Sequence, residues 1–394
     1  MPKWNNWSGK VVAQPKQIRT PASEAELSDL LCETDTTDSP VRALGAAHSH
    51  SRLVPTPGTL IDLHGISGVV SVDRSAQLAQ IRGGTRISDL GLPLRDEGVA
   101  LLNQGDIDRQ SIGGAIATGT HGTGRSLQNL SAGMQSARLV LPSGEIIECS
   151  REIEPDLFEV NRIGLGAAGI LSEVSLSVRP AYKLQERLWL EDLDDVLERI
   201  DELSRASRHL EFFWMPGGQR AACKALEETE ADPVYPLAAE GKRLAWSYEV
   251  LANHRPDKHS EMEYSVAEQD GPACVRELRK KITQDFPELT WPIEYRTLAA
   301  DDAWLSTTQN VPTVTISVHQ GADQSDEPLF RACEKIFRKY GGRPHWGKVH
   351  FLNQADLSSL YPRWLDWWRI RNQWDPKNRM MNDHLARLRP PLMD

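Results

Sequence analysis

Apolar positions recur along this chain at two periods, and the switches between them outline its elements. Ser23-Glu-Ala-Glu26 has the spacing of a capping box, and Leu27, Leu30 and Leu31 follow at helical spacing, which predicts a helix from about 24 to 33. Before it, residues 1–20 read as an extended opening anchored by Trp4 and Trp7. Val41–Leu44, Leu60–Leu63, Val69–Val72 and Leu78–Arg82 read as strands, with Asp73-Arg-Ser-Ala76 as a hairpin-like connection. Ile87–Glu97 reads as helical with a break at Pro93. Ala137–Leu141 and Glu145–Cys149 flank Pro-Ser-Gly as a hairpin, and Leu171–Val178 alternates apolar and polar positions. After Pro180 the pattern shifts. Apolar residues at 193, 196, 197, 200 and 203 predict a helix over Glu191–Ala206. Strands are expected near 210–214, 245–250 and 313–319, helices near 272–284, 326–340 and 356–374, and an exposed acidic loop over 226–242. Strands alternating with a few helices, then more strands, mean an α+β fold rather than a doubly wound sheet. The expected division is 1–180, a covering α+β domain at 181–340, and a C-terminal segment, 341–394, that returns to the first domain. There is no internal repeat.

Composition narrows the function. The 394 residues suffice for a large core, and 40% hydrophobic with 25% charged residues is ordinary for a globular protein. A net charge of −10 argues against nucleic acid as a partner. No apolar run reaches membrane-spanning length and the N-terminus lacks a secretory apolar region, so a cytoplasmic protein is expected. Five isolated cysteines without a CxxC argue against disulfides and a zinc knuckle. Of twelve tryptophans, Trp346, Trp364, Trp367, Trp368 and Trp374 gather near the C-terminus, where packing is their expected role.

Chemistry concentrates in residues 102–125, LNQGDIDRQSIGGAIATGTHGTGR. Such a stretch offers backbone N–H groups and close approach to a ligand rather than side chains, and residues 107–118 are expected to form a glycine-rich ligand loop anchored by Ile107, Ile112, Ala115 and Ile116. A diphosphate is the usual ligand of such glycines. GLGAAG at 164–169 spells GxGxxG, but an alternating strand follows where a dinucleotide fold needs a helix. His48 and His50 form an HxH pair, and His121, His345 and His350 add nitrogens. Without HExxH or a carboxylate at a diagnostic offset, no metal site is assigned. Glu294 and Arg296, two apart on an apparent strand, point to one face, most often as a weak surface pair.

Four blocks in order change this balance: Arg42-Ala-Leu-Gly-Ala-Ala-His-Ser49, the SIGGAIATGTHGTG stretch from Ser111, EYRTLAADDAWLS from Glu294, and GGRPHWGKVH at 341–350. Together they resemble the vanillyl-alcohol-oxidase (PCMH-type) flavoproteins, above all the sugar-1,4-lactone oxidases and the related alditol oxidases. The resemblance implies a PCMH-type FAD-binding domain with a substrate-binding cap domain. It implies FAD attached 8α through His48, within the turn Gly45, Ala46, Ala47, His48, Ser49, a link that raises the flavin potential. Ala47 departs from the family's second glycine, so a Cβ stands in that turn. Gly113, Gly114, Thr118, Gly119, Thr120, His121, Gly122 and Gly124 correspond to the diphosphate cradle. Ser111 would lie beside the flavin or pyrophosphate, and Gly169 and Ile170 correspond to a turn on the cofactor's other side.

The same resemblance implies that Glu294 orients a hydroxyl or helps take its proton, while Arg296 holds developing negative charge. Lys348 would stabilise reduced flavin or bind ring hydroxyls, and His319 would enter the substrate pocket, which favours a lactone. Gly105 and Asp106 would lie at the flavin edge, where a small residue goes with dioxygen access. The implied activity is oxidation of an aldono-1,4-lactone (L-gulono, L-galactono or D-arabinono type) by hydride transfer to the flavin, with dioxygen giving hydrogen peroxide or another acceptor taking the electrons. The alternatives are an alditol oxidase acting on a polyol, a dehydrogenase, or a binding protein without turnover.

Overall fold

The computed structural model describes residues 1–33 and 40–391. Near the N-terminus a helix spans Glu24–Glu33. The Glu26 N–H donates to Ser23 Oγ at 3.1 Å, and the Glu26 carboxylate accepts from the Ala22 N–H at 2.8 Å, so the box closes one residue further out than its consensus. Leu27, Leu30 and Leu31 are buried. Three parallel strands flank it in sequence and lie in spatial order Gln17–Arg19, Thr59–Asp62, Val41–Leu44. The last of these delivers the Gly45–Ser49 turn. A six-stranded antiparallel sheet is built around Ile170–Pro180, which pairs with Leu78–Arg82 and Val99–Leu101 and also with Met134–Val140.

Two local expectations need correction here. The segment 107–118 is not all loop, because Ile112–Thr118 is helical. Ser111 caps that helix by accepting from the Gly114 N–H at 3.3 Å, and Ile112, Ala115 and Ile116 are buried. Gly113 is required within it: a Cβ there would stand 2.9 Å from the Gly83 carbonyl oxygen. The break in 87–97 falls at Leu90, between a 3-10 turn at Ile87–Asp89 and a helix at Gly91–Asp96. Pro93 sits in the first turn of that helix, where its missing N–H costs little.

Eight strands form the second sheet, in spatial order Leu244–Trp246, Lys183–Asp192, Arg220–Thr229, His209–Trp214, Ile293–Leu298, Thr313–Gly321, His259–Ala267, Arg343–Pro344. Each long strand alternates, so the sheet has one apolar and one polar face. Met262, Tyr264, Val266, Ile293, Tyr295, Ile316 and Val318 join one buried cluster with residues of three helices, Leu193–Ala206, Gly271–Asp285 and Glu327–Lys339. The intervening residues, Glu261, Glu263, Glu294, Arg296, Ser317 and His319, form the opposite face. The expected strand at 245–250 ends at Trp246, and Ser247–Leu251 is helical. The expected acidic loop starts later, because Arg220–Thr229 is a strand. The helical stretch 356–374 is two helices, Gln354–Leu360 and Trp364–Trp374, separated around Pro362.

The C-terminal segment ties back to the first sheets. Trp346, Trp364, Trp367 and Trp368 are buried; the first three stack in succession, Trp368 meets Trp364 and Trp367 edge-on, and the Trp367 indole donates to the Val160 carbonyl at 3.1 Å. Buried Arg42 donates to the carbonyls of Leu53, Leu165, Gly166 and Met380, joining the strand before the Gly45 turn to the Gly164–Gly169 turn and the C-terminal segment. Cys149, Cys223, Cys274 and Cys333 are buried, Cys32 is exposed, and all five are free. No helix among the described residues is long and apolar enough to cross a membrane.

Candidate active site

Between the first sheets and the polar face of the second lies a cavity of about 410 Å³. One wall is backbone. Gly45 to Ser49 run along it, and within Ala46–Ser49 no backbone N–H has a protein acceptor among the described residues. Ala47 lies in the left-handed region at φ 59°. Successive N–H groups around a left-handed residue make a concavity for anionic oxygens. Gly105, Ser111, Gly113, Gly114, Thr118, Thr120, Gly169 and Ile170 continue this wall. The donor set, free N–H groups with little side chain, fits the diphosphate and flavin of FAD, with Gly45 to Ser49 as the natural holders of the anionic part. His48 stands in the turn with Trp7 stacked on its ring at 5.5 Å. Burial, reinforced by Lys348 and Arg86, pushes its imidazole down to about 4, so it is neutral at pH 7. Neither ring nitrogen has a hydrogen-bond partner among the described residues.

The facing wall consists of charged side chains. Glu294 and Arg296 share the inner face of Ile293–Leu298 and contact each other. Arg296 Nε lies 3.4 Å from Glu211, which faces it across the strand pair, and its terminal nitrogen lies 3.5 Å from Asp106. Lys224, opposite Glu211 on the next strand, is 3.1 Å from it. One guanidinium therefore serves three carboxylates. Burial raises Glu294 well above the ordinary carboxylate range. Arg296 opposes this, and Glu211 and Asp106 push it further up. Glu294 can thus keep its proton at a pH where an ordinary carboxyl has lost it, whereas Arg296, surrounded by carboxylates, stays charged despite its burial.

Lys348 reaches the cavity because its turn is tied on both sides. The Gly347 carbonyl accepts the His50 N–H at 2.7 Å, and the Val349 N–H donates to the Glu261 carbonyl at 2.9 Å. Lys348 Nζ contacts the Glu261 carboxylate. Burial pulls the pKa of this lysine down, but Glu261 and Glu263 outweigh it and hold it above the ordinary lysine value. Beside them, the His121 ring is held between the Gly122 carbonyl, 2.9 Å from Nδ1, and the Glu263 carboxylate, 2.8 Å from Nε2. Glu263 also accepts from Ser317 Oγ at 2.8 Å.

The cavity thus gathers Glu294, Arg296, His319 and Lys348 with His48, Asp106 and most of the glycine-rich stretch. Gly119, Gly122 and Gly124 are not part of its wall. Gly119 ends the short helix at φ 70°. A Cβ on Gly122 would collide with the Gln104 carbonyl. Gly124, at φ 147°, donates to the Thr297 carbonyl at 2.8 Å and joins the two halves. A Cβ on Gly105 would stand 3.2 Å from the His121 carbonyl oxygen, so this stretch of wall has little room for a methyl group. Glu261, Glu263, His259, Glu211 and Lys224 have no counterpart in the sequence motifs. The alternation Glu261-Met-Glu-Tyr-Ser265 was the one signal that could have found the first two.

Similarity to known proteins agrees with this arrangement. Residues 15–150 match the FAD binding domain family, and residues 174–244 and 234–388 match the D-arabinono-1,4-lactone oxidase family. The chain is 34% identical to an L-gulono-1,4-lactone dehydrogenase of Mycobacterium tuberculosis, covering 99% of this chain and 100% of that protein. It is 27% identical to an alditol oxidase of a Streptomyces species, covering 97% and 98%. A solvent-stable cholesterol oxidase shares its fold at a TM-score of 0.85 and 14% identity, over 98% of this chain and 97% of that one. With an FAD-binding half of PCMH type and a lactone-oxidase half closing one cavity between them, the chain belongs to the D-arabinono-1,4-lactone oxidase family of FAD-dependent oxidoreductases.

Proposed function

We propose that the chain oxidises a secondary carbinol of an aldono-1,4-lactone, with FAD held along the backbone wall and attached 8α through His48. The observation that carries this reading is the Glu294–Arg296 pair facing the cavity together with Lys348, opposite a wall of free backbone N–H groups. FAD, when bound, supplies the hydride acceptor and passes electrons on to dioxygen or another acceptor. Glu294, with its raised pKa, takes the hydroxyl proton. Arg296 and Lys348 hold the negative charge that develops as the C–H bond breaks. The neutral His48 imidazole has the free nitrogen that a covalent bond needs. His319 in the cavity and the higher identity to a relative named for a lactone favour a lactone over an alditol. Gly105 on the wall favours dioxygen as acceptor, because no side chain narrows the path there.

Anaerobic mixing tests the substrate class: L-gulono-1,4-lactone should bleach the flavin absorbance and xylitol should not. Bleaching by xylitol alone would make the enzyme an alditol oxidase. In air the lactone should drive oxygen uptake and peroxide formation. Acid-precipitated protein should stay yellow, and colour lost to the supernatant would remove the covalent link.

A further inference from the structure

Beyond its contact with Lys348, the Glu261 carboxylate faces imidazole nitrogens that lie too far away to hydrogen-bond to it. Its strand pairs with Thr313–Gly321 so that Glu261 stands directly opposite His319. His319 Nε2 is 3.7 Å from one carboxylate oxygen and His259 Nε2 is 3.8 Å from the other. Both separations exceed a hydrogen bond. In each ring the other nitrogen is committed, His319 Nδ1 donating to the Pro292 carbonyl at 2.8 Å and His259 Nδ1 to the Asp257 carbonyl at 3.0 Å. A carbonyl only accepts, so Nδ1 carries a proton in both rings and Nε2 faces Glu261, offering a lone pair wherever the ring is neutral. For His319 burial lowers the pKa, which favours that neutral form. All three residues line the cavity. His50, also 3.8 Å from the carboxylate, stands behind it and does not.

The charge at this place is already balanced, since Lys348 contacts the Glu261 carboxylate. A divalent cation would have to sit beside that ammonium. Among the described residues only Lys348 makes a hydrogen bond to the Glu261 carboxylate, and hydroxyl groups are neutral donors that also accept from an ammonium. Trp291, 5.1 Å from His259, lines the same corner and offers an apolar face to a C–H surface.

We propose that Glu261, His259 and His319 form a subsite for two neighbouring hydroxyl groups of the substrate, remote from the carbon that is oxidised; this rests on the reading of the cavity as the site of a sugar-lactone oxidoreductase. One hydroxyl donates to the carboxylate and the other to an imidazole, while Lys348 donates to a hydroxyl oxygen. Glu261 and His259 thereby set the preference for polyhydroxylated substrates and act on binding more than on the hydride step.

The test is a double-mutant cycle on FAD-loaded protein. Glu261→Gln and His259→Phe are each compared with native enzyme on L-gulono-1,4-lactone and on analogues lacking one hydroxyl away from the oxidised carbon. His259→Phe keeps the ring packing and leaves the Glu261–Lys348 pair in place. Each variant should lose roughly 10- to 100-fold in kcat/KM on the full lactone, the range for buried hydrogen bonds to charged or polar groups. The loss should lie in KM, with the limiting rate of anaerobic flavin reduction little changed in His259→Phe. On at least one deoxy analogue the loss should shrink to less than about threefold, because the partner is already missing. Equal losses on every compound would overturn the subsite and leave the lactone reading intact. Failure of native enzyme to be reduced by any lactone or polyol would remove the reading on which it rests. Stoichiometric Zn²⁺ binding by native holoenzyme that Glu261→Gln abolishes would make the cluster a cation site and also overturn the proposal.

Discussion

Four consecutive residues, Ala46 to Ser49, give one wall of the cavity its free backbone donors. The other wall takes Glu261, Glu263, Glu294, Arg296 and His319 from three strands that are neighbours only in the sheet, and Glu211 on a fourth holds Arg296 from outside the cavity. The backbone wall presents nearly fixed geometry and almost no charge. The sheet wall presents carboxylates, a guanidinium and an ammonium whose pKa values depend on one another. The contrast assigns the work: the first wall suits a cofactor that stays, the second a substrate that arrives, gives up a proton and leaves.

The largest effect expected from the sheet wall is at Lys348. Lys348→Ala should slow anaerobic flavin reduction by roughly two or more orders of magnitude, the usual cost of losing electrostatic stabilisation, while FAD content holds. Near-normal rates would place the ammonium outside the reaction and weaken the division between the walls. Glu294 sharpens the same contrast through pH. Its raised pKa means that the proton-accepting form is lost at a higher pH than for an ordinary carboxylate. The reduction rate should therefore rise with pH through a pKa above the ordinary carboxylate range, and Glu294→Gln should flatten that limb while lowering the rate.

Away from the site, buried neutral histidines set the stability. Burial pushes His209 down to about 3 and His350 to about 4. Below pH 6.5 the unfolded chain binds protons at both that the folded chain refuses. Stability should therefore fall as pH drops from about 6.5 toward 4, by up to about 1.4 kcal/mol per pH unit for each. Urea midpoints across that range would check it, and a profile flat in pH would contradict the burial argument. The smallest effect belongs to Ala47. A left-handed alanine costs roughly 1–2 kcal/mol, and glycine returns part of this as unfolded-state entropy. Ala47→Gly should change stability by no more than about 1 kcal/mol, without loss of bound FAD.

The two walls also differ in how far the sequence reveals them. A turn is local, so Gly45–Ser49 and the glycine-rich stretch could be singled out from adjacent letters, and Gly45–Ser49 with much of 105–120 line the cavity. Helix Ile112–Thr118 was hidden because its glycines, poor helix formers, are kept for close approach to Gly83 and Ser111 rather than for flexibility. Gly119, Gly122 and Gly124 carry the same letters as the cavity glycines and do other work, which only the packing distinguishes. On the sheet wall Glu294 and Arg296 were legible through their motif. Glu211 and Lys224 were not, because what matters is that they fall opposite Arg296 and each other across strand pairs. Register is a tertiary property, and a strand that buries charge on one face reads in sequence like one that exposes it. The strand Lys183–Asp192 and the helices Pro155–Arg162 and Asp383–Leu388 went unmarked for related reasons: they are short or carry many charges, and packing rather than pattern fixes them.

The division between the walls meets its most direct test in the FAD content and limiting anaerobic reduction rate of Arg296→Ala, measured with L-gulono-1,4-lactone. The account predicts a full complement of FAD, still bound after acid precipitation, and a reduction rate lower by roughly a hundredfold or more. A variant that loses its FAD but is reduced at near-native rate once FAD is resupplied would contradict it.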